Sequence, residues 1–109
     1  MKYAIVVTKT AQTDLSAIFQ YIAVDLQSAQ NASYQLARLE KAIASLEEMP
    51  ERHRVYDWKN WRERHLHIMP VDHYLVFYIT TQEDLTVTIM RILYGGRDID
   101  SQLALLETK

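Results

Sequence analysis

The stretch from Arg64 to Asp98, RHLHIMPVDHYLVFYITTQEDLTVTIMRILYGGRD, holds most of the side chains in this sequence that could do chemistry. His65 and His67 stand two apart, and His73 follows across a short turn. Imidazole titrates close to neutral pH and can take or give a proton there. Arg64, Arg91 and Arg97 could supply positive charge around these histidines, and Tyr94 an aromatic hydroxyl. The same residues have plainer uses. His65 and His67 suit an exposed strand face, Arg91 an ion pair with an acid, and Arg97 with Asp98 the anchoring of a closing helix. A zinc site built on His65 and His67 finds no third ligand at a convincing spacing. Gly95-Gly96 is followed by no lysine or serine in a phosphate-loop pattern, so the pair serves chain freedom at the end of a strand.

A second group of polar candidates lies just upstream, in Pro50 to Glu63 (PERHRVYDWKNWRE). Arg52, Arg54 and Arg62 alternate there with Trp58 and Trp61. Cations interleaved with aromatic planes fit single-stranded nucleic acid or an acidic protein surface. Glu51, Asp57 and Glu63 dilute the charge. The alternative is a loop pinned by two tryptophans with its charges in water. Arg52, Arg54, Trp58, Trp61, Arg62 and Arg91 are therefore the candidates for contact with a partner.

These residues need a frame. His65 to Met69 alternates, so Leu66 and Ile68 point one way and His65 and His67 the other. His73 to Thr80 is apolar on both faces, as a central strand is. Leu85 to Tyr94 is rich in β-branched residues. Gln82, Glu83 and Asp84 turn the chain between the last two strands, and together the three form an antiparallel meander. Met1 to Thr8 reads as one more strand, of unreadable pairing. From Ala11 the apolar period becomes helical, through Leu15, Ile18 and Ile22, with Thr10 as the N-cap and Gln12, Asp14, Ser16 and Gln20 toward solvent. Ser28 caps a second helix that carries Ala29, Ala32, Leu36, Leu39, Ile43 and Leu46 on one stripe and runs to Met49, before Pro50. Two helices with matching stripes and a short link fold as an antiparallel hairpin. Asp98 to Leu106 reads as a short closing helix. The expected class is α+β: a small antiparallel sheet backed by an N-terminal αα-hairpin, in the order β-α-α-β-β-β-α.

The 109 residues are expected to form a single domain, 1–109. The absence of cysteine excludes a disulfide framework and a thiolate metal site. A net charge of −2 gives no overall pull toward nucleic acid, so any such contact must be local. No run reaches membrane-spanning length and none resembles a signal segment, so a cytoplasmic protein is expected.

The element order and four segments resemble the RelE/ParE superfamily of toxins from type II toxin–antitoxin pairs, nearer ParE than RelE. The segments are AQTDLSAIFQYIA, IASLEEMPERH, VDHYLVFY and RILYGGRDI. The resemblance implies the same fold, a cognate antitoxin that wraps the toxin in a hetero-oligomer, and no cofactor. It also divides the function. RelE-like members resemble ribosome-dependent messenger RNA endonucleases, which need a base for the ribose 2′-hydroxyl, cations for the phosphate and an acid for the leaving oxygen. ParE-like members act on DNA gyrase without such a site. Arg97 matches the family arginine that follows the last strand, and Arg64, or less closely Arg62, matches the basic residue entering the second. The RelE arginine at the start of the third strand falls on Leu75, and the late RelE tyrosine falls near Leu103. The resemblance thus implies a ParE-like inhibitor of gyrase. The alternative is a RelE-like nuclease using His65, His67, Arg64, Arg97 and Tyr94 on the ribosome and its message. A third possibility is a degenerate member that only binds its antitoxin.

Overall fold

A computed structural model describes residues 2–56, 65–96 and 99. Strand β1 (Ala4–Val7) leads into helix α1 (Lys9–Gln20), a π-helical turn over Tyr21–Asp25, and helix α2 (Ala29–Ala44). Two short 3-10 turns, Ser45–Glu47 and Pro50–Arg52, close the helical half. Strands β2 (Leu66–Val71), β3 (Tyr74–Thr81) and β4 (Thr86–Tyr94) follow. Of the closing helix expected at 98–106, all but Ile99 lies outside the described residues.

The late meander forms as its alternation predicts: β2 pairs with β3, and β3 with β4, both antiparallel. β1 adds itself parallel to β4, so the order is β1-β4-β3-β2 and the sheet is mixed at that one edge. β3 is interior, as its two apolar faces require. One face of the sheet packs with the helices, gathering Ala11, Leu39, Ile43 and Leu46 against Met69, Val76, Tyr78, Val87, Ile89 and Ile92. The other face carries a second cluster, Leu66, Ile68, Phe77 and Leu93, with Leu75 and Ile99 against it.

Ile89 and Ile92 are three residues apart, so a regular strand would place them on opposite faces. Both nevertheless belong to the helix-side cluster. The register explains this: Phe77 faces Arg91 but Tyr78 faces Ile89, leaving Met90 as the extra residue of a β-bulge. The bulge resets the alternation and returns Ile92 to the helix side.

Several local features differ from expectation. Thr8, not Thr10, caps α1: its hydroxyl accepts from the Ala11 amide and also donates to the Ile89 carbonyl at 2.8 Å. One side chain thus joins β1, α1 and β4, an advantage Thr10 lacks. Thr8→Ala is expected to cost about 1 kcal/mol, the usual loss for an N-cap hydroxyl, read as a lower urea midpoint at unchanged slope. Ser28 caps α2 as foreseen. That helix stops at Ala44, short of Met49, because the chain tightens to 3-10 and Met49 then turns left-handed at φ 49°. Leu85 is likewise left-handed, at φ 52°, and belongs to the turn before β4. Neither glycine has positive φ. Gly95 donates its amide to the His73 carbonyl at 2.9 Å, and Gly96 is the position set by close approach, since a Cβ there would lie 2.8 Å from the Tyr94 ring.

The β2–β3 hairpin turns on Asp72 and His73, with Asp72 at φ 56°, a conformation that aspartate tolerates. Its carboxylate receives both prongs of Arg38 from α2, at 2.7 and 2.9 Å, and the Gln35 amide at 3.1 Å. The Arg38 hydrogen bonds, then that from Gln35, hold this carboxyl below the usual carboxylate range. This exposed clamp fixes the tip of the hairpin against α2.

Candidate functional site

The candidate polar residues fall at two separate ends of β3. Tyr78 pairs with His67 near one end and Tyr74 with Tyr94 at the other. Four residues of strand, about 13 Å, separate Tyr78 from Tyr74 along β3. Tyr94 therefore does not join His65 and His67 in one constellation. Arg64 and Arg97, which would complete it, lie outside the described residues, as do Trp58, Trp61 and Arg62.

At the first end, His65 and His67 do not share an exposed strand face. His65 precedes β2 in a left-handed conformation, at φ 56°. His67 is only 5% exposed. Its ring stacks on Tyr78 at 5.2 Å between centroids, with 17° between planes. Its Nδ1 lies 2.8 Å from the His65 carbonyl. A carbonyl only accepts, so Nδ1 carries the proton and leaves Nε2 as the free nitrogen. The adjoining pocket, about 610 Å³, is lined by both histidines with Glu51, Thr80, Thr81, Gln82 and Glu83 among others. Among the described residues no lysine or arginine lines it. A phosphodiester there would meet two carboxylates.

Behind this pocket, the segment Pro50 to Tyr56 is fastened to the sheet. The Tyr78 hydroxyl donates to the Pro50 carbonyl. Burial, and then the nearby Glu51 carboxylate, push this phenol up to about 12 even though Arg52 pulls it down. Val55 forms an antiparallel bridge with His67, flanked by Tyr56 N–H to Leu66 O at 2.6 Å and Ile68 N–H to Arg54 O at 3.0 Å. The expected open loop is thus partly a short extra strand on the β2 edge. The His53 and Tyr78 rings stand at 88° to each other with 6.4 Å between centroids.

The partner-contact candidates are also sorted by geometry. Arg52 closes the end of the α2 segment: its guanidinium donates to the carbonyls of Glu48 at 2.7 Å and Met49 at 3.1 Å and to the Ser45 hydroxyl at 2.8 Å. Cationic side chains commonly satisfy helix-end carbonyls this way. Arg91 is 9% exposed and makes a two-pronged ion pair with Asp14, at 2.7 and 2.9 Å. Asp14, expected toward solvent, also accepts from the Ile92 amide at 2.9 Å. Arg91 is therefore committed inside the molecule. Arg54 is exposed, and no side-chain partner binds it among the described residues.

At the other end of β3 an open groove of about 740 Å³ runs between the helical hairpin and the ends of β3 and β4. Tyr21, Leu26, Tyr34, Tyr74 and Tyr94 line it, with His73 at its margin. Tyr21, Leu26, Tyr34 and Tyr94 are each more than half exposed, at 51, 56, 63 and 51%. Tyr74 and Tyr94 meet edge to face at 5.9 Å, and the Arg38 guanidinium lies over the Tyr34 ring at 5.7 Å. Exposed large side chains gathered in one concavity mark an interaction surface. The sequence signal for it was weak. Tyr34 lies off the apolar stripe of α2, and Tyr21 passes for a widening of the α1 stripe.

The family described as ParE toxin of type II toxin-antitoxin system, parDE, matches residues 5–99. The fold is similar to a structure of the chromosomal ParDE system from P. aeruginosa, with TM-score 0.71 at 14% identity over 85% of this chain and 96% of that one. It is similar to the RelBE2 toxin–antitoxin complex from Mycobacterium tuberculosis, with TM-score 0.62 at 20% identity over 86% of this chain and 99% of that one. An E. coli RelE mutant in the free state matches with TM-score 0.66 at 13% identity over 98% of each chain. No curated protein matches the sequence.

Proposed function

This chain belongs to the ParE toxin family of type II toxin–antitoxin systems, and from that membership we propose that it arrests growth by gripping DNA gyrase, with no phosphodiester-cleaving site of its own. The observation that carries the reading is the setting of Leu75. Where a RelE-like nuclease would place a guanidinium, this chain has a leucine packed against Leu66, Ile68, Phe77 and Leu93. An alkyl side chain in an apolar cluster cannot neutralise a phosphate as charge builds on it. The acidic lining beside His65 and His67 supports the same reading.

The test is a pair of assays on the purified protein. Gyrase supercoiling is expected to fall in proportion to added toxin, while message on translating ribosomes stays intact. Cleaved message that disappears on replacing His65 and His67 would instead assign the RelE-like activity.

We further propose that a cognate antitoxin occupies the tyrosine-lined groove. The RelBE2 structure, which is similar in fold, is itself a toxin–antitoxin complex. An antitoxin segment that orders on binding would cover the exposed tyrosines and Leu26, with Arg54 available for charge pairing. Stabilisation follows by mass action, about 2.7 kcal/mol at a hundredfold excess over Kd.

A further inference from the structure

The pocket of about 610 Å³ at the His67 end of β3 gathers hydrogen-bond acceptors from distant parts of the chain. Glu51 comes from the 3-10 turn Pro50–Arg52, His67 from β2, Thr80 and Thr81 from the end of β3, and Gln82 and Glu83 from the turn that follows. The Gln82 amide donates to Glu51 Oε2 at 2.7 Å, which ties the two turns together and holds that carboxylate in place. The other Glu51 oxygen and the Gln82 amide oxygen receive no hydrogen bond among the described residues. Glu83 meets no counter-charge among them either.

His67 adds an observation independent of the two carboxylates. Its ring is 5% exposed and lines the pocket. Nδ1 is spent on the His65 carbonyl, and Nε2 has no partner among the described residues. With the proton on Nδ1, the neutral ring offers Nε2 as a lone-pair acceptor. A nearly buried acceptor gains from any donor brought to it.

Two carboxylates in one concavity hold a negative field over it. A phosphate or carboxylate ligand is repelled there, and an apolar one would leave the acceptors bare. The ligand that fits is a cation rich in N–H groups. A guanidinium is planar, always charged and carries five donors, against three on a more strongly hydrated ammonium. The volume lies within the range of about 300–1,000 Å³ usual for ligand pockets.

We propose that this pocket seats an arginine side chain of a protein partner, its guanidinium meeting Glu51 and Glu83 and one N–H reaching His67 Nε2. The site stands at the opposite end of β3 from the tyrosine groove, about 13 Å along the strand. It is a contact separate from the one proposed for the antitoxin, and it does not depend on the gyrase reading.

The experiment is an NMR titration of the full chain at pH 7.5 with N-acetyl-arginine amide. N-acetyl-citrulline amide, its uncharged isostere, N-acetyl-lysine amide and a short single-stranded oligonucleotide run beside it. Saturable shifts are expected at the Gln82 side-chain amide, the Thr80 and Thr81 amides and the His67 Hε1 proton, with a Kd on the order of millimolar for so small a probe. The citrulline probe should give no saturable shift, and the lysine probe should bind several-fold more weakly. Glu83→Gln should weaken arginine binding about fivefold, the worth of one unit charge at about 4 Å in water. Glu51→Gln together with Glu83→Gln should abolish saturation. Glu83 is exposed, so its single variant keeps the fold, and unchanged Val76 and Ile92 amide shifts check this. Tyr94→Ala, at the far end of β3, should leave the affinity as it was. No saturable shift, equal binding of the citrulline or lysine probe, an affinity indifferent to Glu83, shifts centred on Tyr94, or an oligonucleotide taking the pocket would each overturn the assignment.

Discussion

Asp14→Ala is expected to cost about 3–5 kcal/mol, the loss found when one partner of a buried ion pair is removed. The Asp14 and Arg91 side chains are only 12 and 11% exposed, so water cannot take over from the lost carboxylate. Truncation strands a guanidinium beside the β-bulge, and it also strands the Ile92 amide that Asp14 accepts from. Domains of this size are stable by only about 5–15 kcal/mol, so the variant should lie near the edge of folding. A urea midpoint lowered by more than about 1 M is the expected reading, given typical slopes of about 1–3 kcal/mol per M. Removing both charges, as Asp14→Leu with Arg91→Met, should recover much of the loss, because no uncompensated charge is then buried. A single variant that loses less than about 1 kcal/mol would show that the pair is solvated in solution.

Tyr94→Ala is expected to weaken antitoxin binding by about 2 kcal/mol, roughly thirtyfold in Kd, as truncating a central aromatic anchor does. The residue is 51% exposed and its main internal contact is the edge of Tyr74, so its loss should change the fold's stability little. Under the gyrase reading Tyr94 carries no chemistry, so the variant stays toxic and becomes harder to neutralise. Calorimetry with the cognate antitoxin and growth after induced expression read the two effects separately. Unchanged antitoxin affinity would move the antitoxin's seat away from this groove.

The groove and the ion pair are linked. Asp14 lines the groove, yet its charge is met by Arg91 beneath. Among the described residues lining the groove, the carboxylate is thus already paired, and the tyrosines and Leu26 stand beside Asn31, Gln35 and His73.

Features set by neighbours in sequence were legible without coordinates. The period of two in His65 to Met69 and the doubly apolar His73 to Thr80 led to the meander. The three- and four-residue steps from Ala11 and from Ala29 led to the hairpin, and Ser28 to the cap of its second helix. Each signal is local, because backbone geometry alone decides which side chains share a face. The resemblance placed the chain in its superfamily, and the departure at Leu75 was visible as a residue type.

Folding decided what depended on distant partners. Asp14 and Arg91 are 77 positions apart, and only the packing of α1 on β4 brings them together. His67 looked exposed by alternation, but Tyr78 and the returning Val55 segment cover it. Arg52 looked like a binding cation, but the end of the α2 segment needed its carbonyls satisfied. The tyrosine groove draws its lining from both helices and two strands, so no single stretch announces it. A side chain's type and period reveal which face it occupies; whether that face meets water, a counter-charge or another ring is set by the elements the fold lays against it.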